Sequence, residues 1–238
     1  MIDSAAIVDS LKQNGFAVVP KVVDASTLIA LTEALERVPE TNAVRRKGKR
    51  PFGIRNLLEV VPLTRLFANG DPLLSLARTA LGENARLVRG LFFDKPPKAN
   101  WKVAWHQDLT IAVEKRIDLH GFGPWTTKAG VTHVQPPIDV LEGMLALRVH
   151  LDDCGTLNGA LRVMPGSHRH GRLSREAISE CVKTETPTVC EVPRGGVLLM
   201  KPLLLHSSSL SSEPSHRRVI HFEFSSSKLP EGLSWREH

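Results

Sequence analysis

The chain has 238 residues, of which 42% are hydrophobic and 24% are charged, and its formal net charge is +6. These proportions are ordinary for a folded protein and the length allows one large core, so we expect a single domain over residues 1–238. No apolar run approaches the ~20 residues that cross a bilayer, and the start of the chain lacks the basic segment of a secretory signal, which predicts a cytoplasmic protein without a membrane partner.

The first third of the sequence predicts mostly helices. Residues 3–14 and the segment between Asp24 and Pro39 combine apolar residues at helical spacing with capping and stop signals. Shorter helices are expected at 54–61, 63–68 and 71–82, with one strand at 16–19. This helical third is expected to pack on the outside of a β core.

A basic run, RRKGKR at 45–50, supplies five of the positive charges. Such a run is typical of a solvated loop, and a second interpretation is that it attracts an anionic substrate or cosubstrate toward a nearby pocket. No aromatic residues are interleaved with it and no nucleic-acid-binding motif surrounds it. We therefore do not expect a nucleic-acid partner.

Beyond Gly82 the pattern changes to short apolar runs separated by turn residues, which is typical of β-strands in a sandwich or barrel. The predicted strands are 85–93, 101–108, 144–151, 160–164, 188–192, 197–206 and 217–224, with one helix near 174–181. The fold class predicted from these patterns is mainly β with flanking helices.

The longest stretch predicted to be irregular is 118–139. Loops of this length are usually functional lids or disordered segments. Trp125 and His133 argue against disorder, and the stretch follows the segment that carries the candidate metal ligands. We therefore expect a lid over the site.

His106 and Asp108 lie two residues apart in the segment WKVAWHQDLT. In an extended strand, side chains at positions i and i+2 point to the same face, so this spacing directs an imidazole and a carboxylate to one point. His206 ends a second apolar run far downstream. Two histidines and one carboxylate are the ligand set of non-haem Fe(II) oxygenases, so we predict a metal site formed by these three residues.

Arg217 opens the last predicted strand, eleven residues after His206. A buried guanidinium requires an anionic partner, and its planar shape fits a carboxylate. An incoming dicarboxylate would supply that partner, and the hydroxyl of Ser208 could bind the same carboxylate. The alternatives are a surface arginine at a strand end and a serine that only serves a turn.

The sequence resembles the phytanoyl-CoA dioxygenase family of Fe(II)- and 2-oxoglutarate-dependent oxygenases. The segments that match occur in order along the chain: LFFDKPP at 91–97, WHQD at 105–108, NGALRVMPGSHRHG at 158–171, LLLHSSSL at 203–210 and RRVIHFEF at 217–224. The likeness extends from about Phe16 to Phe224. It implies a double-stranded β-helix, that is, a jelly-roll or cupin-like core.

The resemblance also implies the cofactors: Fe(II) bound by His106, Asp108 and His206, with 2-oxoglutarate as cosubstrate and O2 as oxidant. It places the distal carboxylate of 2-oxoglutarate on Arg217 and Ser208.

Three further residues fall at positions that contact the cosubstrate in the family. Leu91 and Arg148 stand where relatives often have a methionine and a tryptophan, and Arg55 is assigned to the position of an upstream basic residue.

The reaction implied is hydroxylation of a small-molecule substrate with release of succinate and CO2. Because Asp108 is retained, hydroxylation or a related oxidation is expected rather than halogenation. Trp105, Gln107 and Trp125 are candidates for contact with the substrate. We expect a monomer or a homodimer.

Two alternatives from other classes stay open. A cupin-type metal enzyme would use the same three ligands without 2-oxoglutarate, and Arg217 would then be dispensable. A catalytically silent ligand-binding homologue would be stabilised by its ligand without producing succinate.

Overall fold

The computed structural model describes residues 3–48, 50–95, 101–212 and 216–237. Its helices are α1 Ser4–Gln13, α2 Ala25–Glu36, α3 Leu57–Val60, α4 Pro62–Ala68, α5 Leu73–Leu81, α6 Ile138–Glu142 and α7 Arg175–Thr184. Its strands are β1 Phe16–Val19, β2 Val44–Lys47, β3 Arg50–Ile54, β4 Arg86–Asp94, β5 Val103–His106, β6 Ile111–Val113, β7 Trp125–Lys128, β8 Val131–Val134, β9 Met144–His150, β10 Leu161–Val163, β11 Thr188–Cys190, β12 Val197–Met200, β13 His206–Ser208 and β14 Arg218–Ser225. None of the described helices is long and apolar enough to cross a membrane.

The first two helices begin at aspartates whose side chains cap them. The carboxylates of Asp3 and Asp24 accept hydrogen bonds from the amides of Ala6 (3.1 Å) and Thr27 (2.9 Å), which satisfies donors that a helix cannot pair internally. The predictions of α1, α2 and α4 are confirmed. The fifth helix begins at Leu73, after Pro72.

Antiparallel pairing joins the strands into three sheets. The large sheet has the order β1-β12-β9-β14-β4-β3-β2, the small sheet β11-β10-β13-β5, and a third sheet β6-β8-β7.

Alternation along β14 gives the large sheet its two faces. Ile220, Phe222 and Phe224 belong to the main apolar cluster together with buried residues of the helices. His221 and Glu223 alternate with them and line a cavity on the opposite face. The helices therefore cover one face of the sheet and leave the other for polar side chains.

One strand prediction is corrected by the division of a single apolar run. The apolar run 197–206 is divided between β12 in the large sheet and β13 in the small sheet. A turn separates the two strands, with the amide of Leu204 donating to the carbonyl of Lys201 at 3.1 Å. Both strands and the turn are buried, so hydrophobicity alone cannot reveal where the chain crosses from one sheet to the other.

Two predicted loops are also ordered structure. Of the basic run, residues 45–47 lie in β2 and residue 50 begins β3, and these strands form an antiparallel pair in which Val44 pairs with Ile54. The stretch 118–139 contains the β7–β8 hairpin and the start of α6. The side chain of Asn56, which follows β3, donates to the carbonyl of Ala129 at 3.1 Å. The two hairpins therefore contact each other.

Candidate active site

Three ligand-type side chains converge where β5 ends and β13 begins. His106 and His206 are paired across these two strands, and their ring centroids lie 4.2 Å apart. Asp108 Oδ1 is 4.0 Å from His106 Nε2, and Asp108 Oδ2 is 3.7 Å from His206 Nε2. One ligand atom from each residue lies within 4.8 Å of the other two.

The convergence does not arise from the strand geometry expected from the sequence. Strand β5 ends at His106, so Asp108 lies beyond it rather than on its face. The amide of Asp108 donates instead to the carbonyl of Pro202 at 2.9 Å. This bond ties the loop after β5 to the turn before β13, and it brings the carboxylate to the two imidazoles.

The hydrogen bonds of the imidazoles define which nitrogen is free. His106 Nδ1 lies 2.8 Å from the carbonyl of Ala104, and His206 Nδ1 lies 2.9 Å from the carbonyl of Leu204. Since a carbonyl can only accept, Nδ1 carries a proton in both rings, and Nε2 is the nitrogen whose lone pair a metal would use. Both lone-pair nitrogens are the atoms nearest to Asp108, which is the orientation that metal binding requires.

The charge states agree with this assignment. Burial lowers the pKa of His206 to about 4, so the ring is neutral at pH 7. Burial opposes ionisation of Asp108, but His206, His221, His106 and Arg148 outweigh it and lower the pKa of the carboxyl to about 2. The site therefore offers an anionic carboxylate from Asp108 and a neutral imidazole from His206, beside the Nε2 of His106.

These donors face a cavity of about 270 Å³ between the large and small sheets. The cavity also contains the five residues that the sequence assigned to the cosubstrate: Arg55, Leu91, Arg148, Ser208 and Arg217. We call it the metal cavity. The structure thus brings together all eight residues predicted to contact the metal or cosubstrate.

Arg217 is 4% exposed, so its charge is almost completely removed from water. Its Nη1 donates to the carbonyl of Gly159, and its Nε is buried without a hydrogen-bond partner. Burial lowers the pKa of the guanidinium. A buried donor without a partner is costly, and this one lines the metal cavity.

Lys95, which was not predicted from the sequence, lies close to Arg217. Lys95 is 1% exposed, and its Nζ donates to Ser208 Oγ and to the carbonyl of Ser209, each at 2.8 Å. Burial and the charge of Arg217 lower the pKa of the ammonium to about 7. Because Ser208 Oγ accepts from Lys95, its own hydrogen remains available to a ligand.

A second polar group lies on the large sheet, and of its four residues only Arg148 was predicted from the sequence. Arg148 Nη1 is 2.8 Å from His221 Nδ1, His221 Nε2 is 3.4 Å from Glu223 Oε1, and that oxygen is 3.1 Å from Arg89 Nη1. All four side chains line the metal cavity. The alternation in RVIHFEF was a usable signal, because His221 and Glu223 share the strand face of Arg217.

The three residues proposed to contact the substrate lie elsewhere. The amide of Gln107 donates to the carbonyls of Gly171 and Leu203, and its oxygen accepts from the amide of Leu173. Trp105 packs under Arg162 and Trp125 under Arg116, at 5.6 and 5.8 Å from ring centroid to guanidinium carbon. None of the three is among the described residues that line the metal cavity.

Sequence comparison places the chain among known proteins. The model of the phytanoyl-CoA dioxygenase family matches residues 11–219. The ectoine dioxygenase of Halomonas elongata is 26% identical over 254 aligned positions, which cover 93% of this chain and 69% of that protein. An ectoine dioxygenase of Stutzerimonas stutzeri is 24% identical over 70% of this chain and 51% of its own length.

Structural comparison finds the same fold in solved proteins. AviO1 from Streptomyces viridochromogenes superposes with a TM-score of 0.69 at 22% identity, covering 97% of both chains. EctD from S. alaskensis, solved with 2-oxoglutarate and 5-hydroxyectoine, gives 0.72 at 19% identity over 94% of this chain and 76% of its own. These likenesses show the fold, and the predicted double-stranded β-helix core with flanking helices is confirmed.

Proposed function

The chain belongs to the phytanoyl-CoA dioxygenase family and is an Fe(II)- and 2-oxoglutarate-dependent dioxygenase, and we propose that it hydroxylates a small molecule with release of succinate and CO2. The observation that carries this proposal is the convergence of two imidazoles and one carboxylate in a cavity that also holds a buried arginine. The three donors bind the metal, and the arginine binds the far end of a dicarboxylate.

The donor set fits ferrous iron. His106 and His206 offer Nε2 lone pairs, and ionised Asp108 supplies the negative charge. Two imidazoles and one carboxylate leave coordination positions open, as non-haem iron oxygenases require. When bound, ferrous iron with O2 couples the oxidative decarboxylation of 2-oxoglutarate to hydroxylation of a C–H bond.

The side chains around Arg217 fit the distal carboxylate of the cosubstrate. Its buried Nε has no partner among the described residues, and the hydroxyl of Ser208 can donate because Lys95 occupies one of its lone pairs. A guanidinium and a hydroxyl together bind a carboxylate with directional, charge-assisted hydrogen bonds. Lys95 therefore acts as a positioning residue for Ser208 and adds positive charge behind it.

The carboxylate of Asp108 also determines which outcome is proposed. A small residue at this position would leave a coordination position for a halide, whereas Asp108 occupies it. We therefore propose hydroxylation or a related oxidation rather than halogenation.

An anaerobic titration of the iron-loaded protein with 2-oxoglutarate tests the proposal. The expected result is the weak visible absorption band that the keto acid produces when it binds ferrous iron, and admission of air should then yield succinate. Succinate added in place of 2-oxoglutarate lacks the keto group and serves as the control without a band. Absence of both the band and succinate formation in folded, iron-loaded protein would favour the cupin-type alternative or the silent homologue.

The relatives named ectoine dioxygenases suggest ectoine as the first molecule to add. A true substrate increases succinate production above the level measured without it and appears as a product 16 mass units heavier, which is the mass of one oxygen atom.

A further inference from the structure

A second cavity of about 450 Å³ opens beside the metal cavity. We call it the outer cavity, and its lining residues are Arg45, Phe52, Gly53, Ile54, Arg55, Leu91, Phe93 and Trp101. Four of them, Arg55, Leu91, Phe93 and Trp101, also line the metal cavity. The two cavities therefore share a wall, and a molecule in the outer cavity lies next to the space that faces the metal ligands.

The outer cavity is apolar apart from its arginines. Phe52 and Trp101 form an edge-to-face pair with ring centroids 5.9 Å apart, and Ile54, Leu91 and Phe93 complete the apolar surface. No carboxylate is among its described lining residues. A volume within the roughly 300–1,000 Å³ of small-molecule sites, with apolar walls and a few charged groups, is typical of a ligand pocket.

The metal cavity carries an excess of positive charge. Five cationic side chains line it, namely Arg55, Arg89, Lys128, Arg148 and Arg217, against the two carboxylates of Asp108 and Glu223. Ferrous iron adds two positive charges and 2-oxoglutarate adds two negative charges, so the excess is the same with both bound. The cofactor and cosubstrate therefore leave an unbalanced positive potential, which the primary substrate can neutralise.

Cations without a carboxylate partner among the described residues line both cavities: Arg45 and Arg55 line the outer cavity, and Arg55 and Lys128 line the metal cavity. Arg89 pairs with Glu223, whereas Arg45, Arg55 and Lys128 have no carboxylate within ion-pair distance among the described residues. Burial lowers the pKa of Arg55, and the charges of Arg45 and Arg89 lower it further. Burial also lowers the pKa of Lys128, and so do Arg89 and Arg55. These side chains repel one another, and an anion between them would remove the repulsion.

Arg55 and Arg217 belong to different groups of charges. The charges that act on Arg55 are those of Arg45 and Arg89, whereas Arg217 acts on Lys95 and lies behind Ser208. The resemblance assigned Arg55 to the cosubstrate, but its position in both cavities suits the primary substrate better.

We propose that the primary substrate is an amphipathic acid, with its anionic group bound by Arg45 and Arg55 and its apolar body held by the aromatic and aliphatic wall of the outer cavity. The C–H bond to be oxidised then points past Leu91 and Phe93 toward the metal ligands. The identity of this molecule as a substrate rests on the proposed oxygenase function, whereas the binding site itself does not.

Calorimetric titration of the anaerobic, iron-loaded protein tests the site with three naphthalene probes. 2-Naphthoate and 2-naphthyl phosphate carry an anionic group, and 2-naphthalenemethanol has the same ring system without charge. Since a hydrogen bond to a charged group contributes about 1.5–3 kcal/mol, the better anion should bind more than about tenfold tighter than the alcohol. Whether naphthoate or naphthyl phosphate binds tighter assigns the anionic group to a carboxylate or a phosphate.

Three variants locate the binding. Arg45→Gln should weaken binding of the anionic probes about tenfold and leave the alcohol unchanged. Gly53→Val should weaken all three probes because it fills the outer cavity, and the strand tolerates it because an added Cβ would lie 3.8 Å from both Arg45 Cβ and the Phe92 carbonyl oxygen. Arg194→Gln changes an exposed arginine outside both cavities and is the matched control, with no effect expected.

Each contrary result has a distinct meaning. Equal affinity for the acids and the alcohol, or unchanged affinity in Arg45→Gln, would overturn the anionic site. Displacement of naphthoate by excess 2-oxoglutarate would also overturn it, because the probe would then lie at Arg217. A protein that binds the probes as expected but never decarboxylates 2-oxoglutarate would retain the site and lose the proposed function.

Discussion

The small and large sheets contribute to the two sides of the metal cavity in different ways. On the small sheet, His106 and His206 are oriented by hydrogen bonds to backbone carbonyls, and a backbone bond to Pro202 positions Asp108. On the large sheet, Arg148, His221 and Glu223 orient one another through their side chains. Backbone hydrogen bonds therefore position the metal-binding residues, which we call the metal side of the cavity. On the opposite wall, charged side chains position one another.

This difference implies that substitutions can remove metal binding and anion binding separately. A metal ligand can be removed without breaking the side-chain contacts within the opposite wall. A cation of the anion-binding region, which consists of Arg217 and Ser208, can be removed without breaking the hydrogen bonds that orient His106 and His206. Fe(II) affinity and 2-oxoglutarate affinity should therefore respond to different substitutions. Substitutions of Asp108 and Arg217 should show this separation of Fe(II) affinity from 2-oxoglutarate affinity.

Asp108→Ala should have the largest effect, which is the loss of tight Fe(II) binding. Loss of a residue that only orients a metal ligand weakens metal affinity roughly 10–100-fold, so loss of the charged ligand itself should weaken Fe(II) binding at least about 100-fold and stop succinate formation. Competition for Fe(II) with a coloured chelator measures the affinity. Asp9→Ala, which removes an exposed carboxylate on α1, is the matched control. Wild-type turnover by metal-stripped Asp108→Ala protein would exclude the proposed ligand set.

Arg217→Met should weaken the binding of 2-oxoglutarate while leaving the binding of Fe(II) intact. Removing one partner of a buried, hydrogen-bonded charge pair costs about 2–5 kcal/mol, so 2-oxoglutarate affinity should fall about 30-fold or more while Fe(II) affinity changes little. The neighbouring arginine is the control, since Arg218 donates to Asp152 at 2.7 and 2.9 Å. Arg218→Gln should lower stability by about 1 kcal/mol and retain the 2-oxoglutarate affinity. Equal losses in both variants would contradict a specific role for Arg217.

Lys95→Met should change the pH dependence of stability. The pKa of Lys95 is lowered from 10.5 to about 7 in the folded protein, so between these values the unfolded chain binds more protons at this side chain. The free energy of unfolding therefore gains a contribution that rises with pH across this range, and Lys95→Met should remove it. Urea unfolding at pH 7 and at pH 9.5 measures the difference, with the exposed Lys228→Met as control. Parallel pH dependence in wild type and Lys95→Met would contradict the lowered pKa.

A site residue could be predicted when a short segment of sequence is enough to mark it, and was missed when its role depends on a distant contact. His106, Asp108 and His206 could be named because their residue types and the HxD spacing are visible in short segments, although the strand geometry expected for Asp108 was wrong. Arg217 could be named because its strand was predicted and a buried guanidinium needs an anion. Lys95 was missed although it belongs to the LFFDKPP segment, because its meaning depends on contact with Ser208, more than a hundred residues away.

The amino-acid sequence by itself determined a β core with helices on one side, the three metal ligands and the arginine behind them, because periodicity and residue type define which face of an element is polar. Only the tertiary structure decided that Asp108 reaches the histidines through Pro202, that the basic run forms a hairpin, and that Arg45 and Arg55 border an apolar cavity. The physical reason is that a strand's pattern specifies a face but not what lies opposite it. The excess charge of a cavity is a sum over side chains from strands far apart in the chain.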